Sequence, residues 1–249
     1  MDSDALLGYA AQATERLIDI AGAGALDTPI PSCPAWAMRD LVAHVATRPE
    51  IWLTFAALGP GADPDMDALQ RLFVGEPPRP DPELFDWVRE EHRRFRAATV
   101  ALGMQHPIWF FERDLTVAYL AERAALEMAI HSWDAEATHG QPAPVDSVVA
   151  GLGIDEHITV SFPIRASWGP GPTLDTIMLR ATDTSRAWTL TASNGNVHVD
   201  PDAPPTATIT GTASDLYLAT WNRVPLDRFN VEGDSRLAQG WLDFFAEAG

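Results

Sequence analysis

The sequence predicts an α+β protein in two parts: a helical bundle over residues 1–141 and a smaller α+β domain over 145–249. Three observations carry this. Before residue 140, apolar residues recur at helical spacing in four separate stretches. Pro142 and Pro144 punctuate the chain where that pattern ends. Beyond them, Asn194-Gly195 separates two β-like runs, a strong signal for a type I′ hairpin.

The first helix is expected over residues 4–22, with Leu6, Leu7, Ala10 and Leu17 on its apolar face. A connector punctuated by Pro29, Pro31 and Pro34 follows. The second helix is expected to start near Trp36 and run through Leu41, Val42, Val45, Ile51 and Phe55. Pro49 lies inside it, where the missing N–H predicts a kink or short break. Residues 59–80, rich in Gly and Pro, read mostly as a loop. The third helix is expected over 82–103, and the fourth from Asp114, as N-cap, to His139, ending at Gly140. Four helices of this length with longer connections suggest a bundle, in which facing helices can project side chains into one interior site. In the C-terminal third, 176–180, 187–193, 196–200 and 206–210 read as strands, and 214–221 and 234–247 as helices.

The chain has 249 residues, 46% hydrophobic and 21% charged, enough apolar material for a full core. Its net charge of −18 argues against nucleic acid and anionic membranes as partners. The one basic run, Arg93-Arg94 with Arg96, lies beside Glu90 and Glu91 and reads as a solvated helix face. All 17 basic residues are Arg, which excludes a Walker lysine and fits a GC-rich coding bias. A single Cys, Cys33, allows no intramolecular disulfide, and with no basic and apolar leader at the start the expected location is cytoplasmic. No apolar run approaches the ~20 residues that span a bilayer.

The segment carrying the chemistry is Leu126-Glu127-Met128-Ala129-Ile130-His131-Ser132-Trp133-Asp134. At ~100° per residue, Glu127 and His131 lie about 40° apart on one helix face and reach the same point in space. A carboxylate and an imidazole suit a divalent metal such as Zn²⁺, although such a pair is more often a surface contact. Leu120 and Ala124 make the face partly apolar, which favours an inward orientation. His44, beside Leu41, is the third candidate ligand; by itself it reads sooner as a hydrogen-bonded core histidine than as a ligand. Three protein ligands leave a coordination position open, as in catalytic zinc sites. Asp134, one turn after His131, either orients a ligand histidine or is a solvated carboxylate.

Pro31-Ser32-Cys33-Pro34-Ala35-Trp36, followed by Arg39-Asp40-Leu41-Val42-Ala43-His44, resembles the opening signature of the mycothiol-dependent maleylpyruvate isomerase family. So does Glu127-Met-Ala-Ile-His131-Ser-Trp133-Asp134-Ala-Glu136, with Gly140 after it. The resemblance implies a DinB-like four-helix bundle whose metal, usually zinc, is held by one His on the second helix and a Glu-x-x-x-His pair on the fourth. By motif these are His44, Glu127 and His131. Trp221-Asn222-Arg223-Val224-Pro225 resembles the arginine-containing segment of the family's C-terminal domain, which is α+β and similar to sterol-carrier folds. The resemblance implies a role in activity for Arg223, whose planar guanidinium suits a carboxylate; a surface pairing with Asp215 or Asp227 is the alternative.

What the resemblance implies chemically is a metal-dependent isomerase or S-transferase. Mycothiol would bind the metal as thiolate and add to an electrophilic, carboxylate-bearing substrate. Two other functions fit three ligands and an α+β domain. One is a hydrolase using metal-bound water; the other is a non-enzymatic carrier of small ligands. Cys33 reads as structural, and Gly151-Leu152-Gly153 lacks the third glycine of a dinucleotide site. His92, His106, His139, His157 and His198 have no ligand partners at useful spacing, while Trp36 and Trp133 read as packing around the bundle site.

Overall fold

The computed structural model describes residues 1–74, 79–111, 113–140 and 142–248. By Cα proximity the chain divides into two compact units, Met1–Ala143 and Pro144–Gly249. No helix among the described residues is long and apolar enough to cross a membrane.

In the first unit, α1 (Ser3–Ala23) starts where the Asp2 carboxylate accepts from the N–H of Ala5 at 2.9 Å. It buries Leu6, Leu7, Ala10, Ala13, Thr14, Leu17 and Ile18. That is the i, i+3, i+4 stripe of a helix with one covered face. The proline-punctuated connector is a small antiparallel hairpin, β1 (Pro29–Ile30) with β2 (Cys33–Ala37). Trp36 therefore lies on a strand, and α2 (Met38–Leu58) starts two residues after it, with Asp40 accepting from the N–H of Ala37 at 2.8 Å.

Pro49 does not interrupt α2. A proline in a helix interior leaves the carbonyl four residues earlier without its backbone donor. That carbonyl belongs to Val45, and it lies 2.9 Å from Nε2 of His92, which donates to it. The other ring nitrogen of His92, Nδ1, lies 3.4 Å from the Thr14 hydroxyl. His92 thus substitutes from a neighbouring helix for the hydrogen bond that proline removes.

Residues 59–80 contain a helix that their Gly and Pro content hides: α3 (Met66–Val74), where Asp65 accepts from the N–H of Ala68 at 3.1 Å and Leu69 is buried. Residues 75–78 lie outside the described part. Next comes α4 (Asp81–Leu102). A second hairpin, β3 (Pro107–Ile108) with β4 (Leu115–Thr116), leads into α5 (Val117–Ala137). The last helix thus starts three residues beyond Asp114, because 115–116 are tied into the hairpin and Thr116 has extended dihedrals (φ −128, ψ 172). Within the unit α1 packs chiefly on α5, and α2 chiefly on α4 and then α5. Almost every residue from Val117 to Ala135 of α5 is buried or half-buried, so α5 is the axis of the bundle.

The second unit opens with helices where no element was expected: α6 (Ser147–Glu156), a π-helical turn at His157–Ser161, and α7 (Phe162–Trp168). The Asp146 carboxylate accepts from the N–H groups of Val148 and Val149. His157 is fully buried against Trp221, Phe245 and Phe162. Gly153 lies where α6 meets a later helix, α8 (Ala213–Thr220); a Cβ there would collide with the Tyr217 ring. The glycine serves helix packing, not a dinucleotide.

The sheet has five strands: β5 (Leu174–Ala181), β6 (Ala187–Ser193), β7 (Asn196–Val199), β8 (Ala207–Gly211) and β9 (Asn230–Gly233). Their order is β7-β6-β5-β8-β9, antiparallel except for the β5–β8 pair. Asn194 (φ 51) and Gly195 (φ 83) are both left-handed, as a type I′ turn requires. A last helix, α9 (Ser235–Ala248), packs on β5 and β8 and buries Trp241 and Phe245 completely. The whole is α+β, helical first and sheet-based second, as the sequence predicts.

Burial pushes the His92 imidazole down to about 4, so it stays neutral in the fold at pH 7. In the unfolded chain it titrates near ~6.5. The depressed value means its contribution is present above about 6.5 and is lost as pH falls toward about 4. Replacing His92 by Leu strands the Val45 carbonyl and costs ~1–3 kcal/mol at pH 7. Urea midpoints of the parent should also fall faster than those of His92→Gln across that window. Parallel pH profiles would show that the ring is not held neutral.

Candidate metal centre

His44 is in the second turn of α2 and half-buried; Glu127 and His131 are one turn apart on α5 and buried. One ligand atom from each, an imidazole nitrogen or a carboxylate oxygen, lies within 4.8 Å of the other two. The His44 and His131 rings meet edge to face with centroids 4.7 Å apart. Trp36, on β2, closes one side, 4.7 Å from the His44 ring and 6.5 Å from that of His131. Trp133 makes no ring contact with these histidines among the described residues.

Hydrogen bonds fix the two ligands on α5. Asp134 is completely buried, hence not a solvated carboxylate, and its Oδ2 lies 3.2 Å from Nδ1 of His131. Its Oδ1 accepts from the Ser32 hydroxyl at 2.5 Å, which ties the β1–β2 turn to α5. With Nδ1 occupied by a carboxylate, Nε2 of His131 is aimed at Oε2 of Glu127, 3.2 Å away. Arg123, one turn before Glu127, donates to Oε1 at 2.5 Å. Sequence reasoning missed Ser32 and Arg123, as well as Arg48, whose charge acts on both His44 and Glu127.

The electrostatics prepare two ligands and favour a proton on the third. Burial, then the proximity of His131 and Arg48, pushes His44 down to about 2, so its ring is neutral with a lone pair to offer. Burial pushes the Glu127 carboxyl up, but Arg123 and the hydrogen bond from His131 outweigh it and hold the group well below the usual carboxylate range. Burial lowers His131, and its hydrogen bonds to Asp134 and Glu127 more than reverse that. A cation entering here competes with the proton at Nε2 of His131. Two imidazoles and a carboxylate match the ligand set of catalytic zinc, which binds at ~2.0–2.2 Å and keeps a position open. The residues fit such an ion.

Arg223 belongs to the second unit, after α8. Its N–H donates to the Leu218 carbonyl at 2.9 Å, and Nη1 to the Trp221 carbonyl at 2.7 Å. The preceding Asn222 has φ 58, a left-handed residue that turns the chain at the helix end. Cys33 is half-buried on β2.

Residues 7–136, just over half of the chain, match the model of the mycothiol maleylpyruvate isomerase N-terminal domain. All three candidate ligands fall in that span. Two solved structures are similar over 93% of this chain and 93% of theirs. One is a crystal structure of the mycothiol-dependent maleylpyruvate isomerase carrying a histidine-to-alanine mutation (TM-score 0.66, 16% identity). The other is a crystal structure of the mycothiol-dependent maleylpyruvate isomerase (TM-score 0.63, 14% identity). No curated protein matches the chain.

The purified protein should hold about one divalent ion per chain. His44→Ala, Glu127→Ala and His131→Ala should each lower metal affinity at least as much as the ~10–100-fold usual for loss of a ligand's supporting partner. Elemental analysis after dialysis checks this. A parent that stays metal-free after zinc is added would remove the centre.

Proposed function

The chain belongs to the mycothiol maleylpyruvate isomerase N-terminal domain family, and on that premise we propose that it is a metal- and thiol-dependent isomerase or S-transferase acting on a small, carboxylate-bearing electrophile. The observation that carries this is the convergence of His44, Glu127 and His131 donor atoms within 4.8 Å inside the matched segment. A divalent ion bound there, zinc by ligand type, would act as a Lewis acid that lowers the pKa of a thiol such as mycothiol at the open position.

The chain's own residues then have separable tasks. Asp134 holds Nδ1 of His131 and, through Ser32, locks the ring's direction. Arg123 fixes one oxygen of Glu127 and leaves the other for the centre. Trp36 walls the His44 side and limits water there. Arg223 binds the substrate's anionic group; a planar guanidinium meets a carboxylate with two parallel hydrogen bonds. In an isomerisation the thiol sulfur bonds to one carbon of a cis double bond, and the neighbouring carbon takes the electron pair. Rotation follows about what is then a single bond. The C–S bond breaks as the double bond re-forms, and the thiol is regenerated. In a transferase the C–S bond persists, and the neighbouring carbon's electron pair is quenched by a proton, or the sulfur takes the place of a leaving group that departs with its bonding pair.

Loss of maleylpyruvate should require both metal and mycothiol. Arg223→Ala should lower kcat/KM by about 100-fold, the scale of one lost charge-stabilising group, with metal content unchanged. Full turnover without thiol would replace this reading with a hydrolase. Unchanged kinetics in Arg223→Ala would remove the arginine from it.

A further inference from the structure

The basic run on α4 does not simply face solvent. It borders a cavity of about 380 Å³ along the seam between α1 and α4, within the range of small-molecule sites (~300–1,000 Å³). The seam is open because α1 spends its apolar stripe on α5 and α4 leans on α2. Its walls are also small: Ala10, Ala11 and Ala124, with Leu7 and Phe95, form an apolar floor. Two neutral polar groups lie at the base, the Thr14 hydroxyl and the His92 imidazole. Arg89, Arg93 and Arg96 line the rim against a single carboxylate, Glu15. Arg89 pairs with Glu15 at 3.1 Å and Arg93 with Glu90, while Arg96 joins no ion pair among the described residues. In a chain of net charge −18, three guanidiniums gather around this apolar groove, and although Arg89 and Arg93 are offset by Glu15, Asp86 and Glu90, Arg96 keeps its charge for a ligand.

We propose that this seam is a second binding site, separate from the metal centre, for a small amphipathic carboxylate whose tail lies on the alanine floor and whose head meets Arg93 and Arg96. The apolar floor selects against inorganic anions, which have nothing to bury. The guanidinium rim selects against neutral and cationic amphiphiles, which gain nothing from it. The remainder of the surface, strongly acidic, repels the same ligand, so that binding is confined to the groove.

Octanoate is a suitable probe, with octan-1-ol as its neutral counterpart, titrated calorimetrically into the metal-loaded protein and followed by backbone amide shifts. Saturable octanoate binding is expected, with shifts at Ala11, Thr14 and Arg96, and octan-1-ol should bind about tenfold more weakly. Ala11→Trp fills the groove and should weaken octanoate at least tenfold; Arg96→Glu, on an exposed face that tolerates substitution, should do the same to octanoate and leave octan-1-ol within about twofold. His131→Ala should leave octanoate binding intact. Equal binding of acid and alcohol, or insensitivity to Arg96→Glu, would overturn the proposal. So would binding that survives Ala11→Trp and vanishes in His131→Ala, since the carboxylate would then be on the metal centre. A parent that self-associates through this face, and becomes monomeric in Ala11→Trp, would assign the groove to a second copy of the chain instead.

Discussion

A carboxylate buried at the axis of the bundle must stay ionised, and much of the first unit is arranged around that requirement. Removing an ionised Glu127 from water costs several kcal/mol, which only partners of opposite charge and good geometry offset. Arg123 supplies one, on the same helix and one turn away, and His131 the other. His131 in turn leans on Asp134, and Asp134 on Ser32, which lies 102 residues earlier in the chain. The β1–β2 turn is thereby fastened to α5 by a short hydrogen bond from a half-buried hydroxyl to a fully buried carboxylate. A network of this kind is costly if incomplete, because each member satisfies the next. It also narrows what can complete it: a cation offered to Glu127 and His131 meets two donors whose directions are already set.

The large periodic elements were legible in the sequence because each buries one stripe or one face. The stripe from Leu6 to Leu17 and the Asn194-Gly195 turn are local patterns, and both stand where reasoning placed them. The Glu127–His131 spacing was legible for the same reason, being a property of one helix. What was hidden depends on tertiary contact. Ser32 looks like any loop serine until the fold brings Asp134 to it. Arg48 and Arg123 look like surface arginines until both helices turn them toward Glu127. The α3 helix was masked by flanking Gly and Pro, although Asp65 offers its cap. In α6, the two glycines that resemble part of a dinucleotide motif are packing residues: Gly153 leaves room for the Tyr217 ring and Gly151 for the Arg186 side chain.

The two units differ in how they use histidine, which is instructive about what burial does to one side chain. His157 is enclosed by aromatic rings in a π-helical turn, whereas His92 is a neutral donor between helices. His44 and His131 lie side by side and burial lowers both, yet hydrogen bonds to Asp134 and Glu127 reverse the effect for His131, so one is biased toward the neutral form and the other toward the protonated form. Residue type alone distinguishes none of these. The partner atoms do, and they come from other segments in every case except the Asp134–His131–Glu127 turn.

The arrangement at Pro49 ties two positions 43 residues apart into a single unit of variation. With proline at 49, the Val45 carbonyl depends on His92; with any other residue there, α2 would satisfy that carbonyl itself and the histidine would be a buried polar group short of a partner. Neither change is neutral first, and each makes the other tolerable. Descendants of this sequence should therefore keep both residues or lose both, and the same substitution at 92 should be harmful or harmless according to what occupies 49.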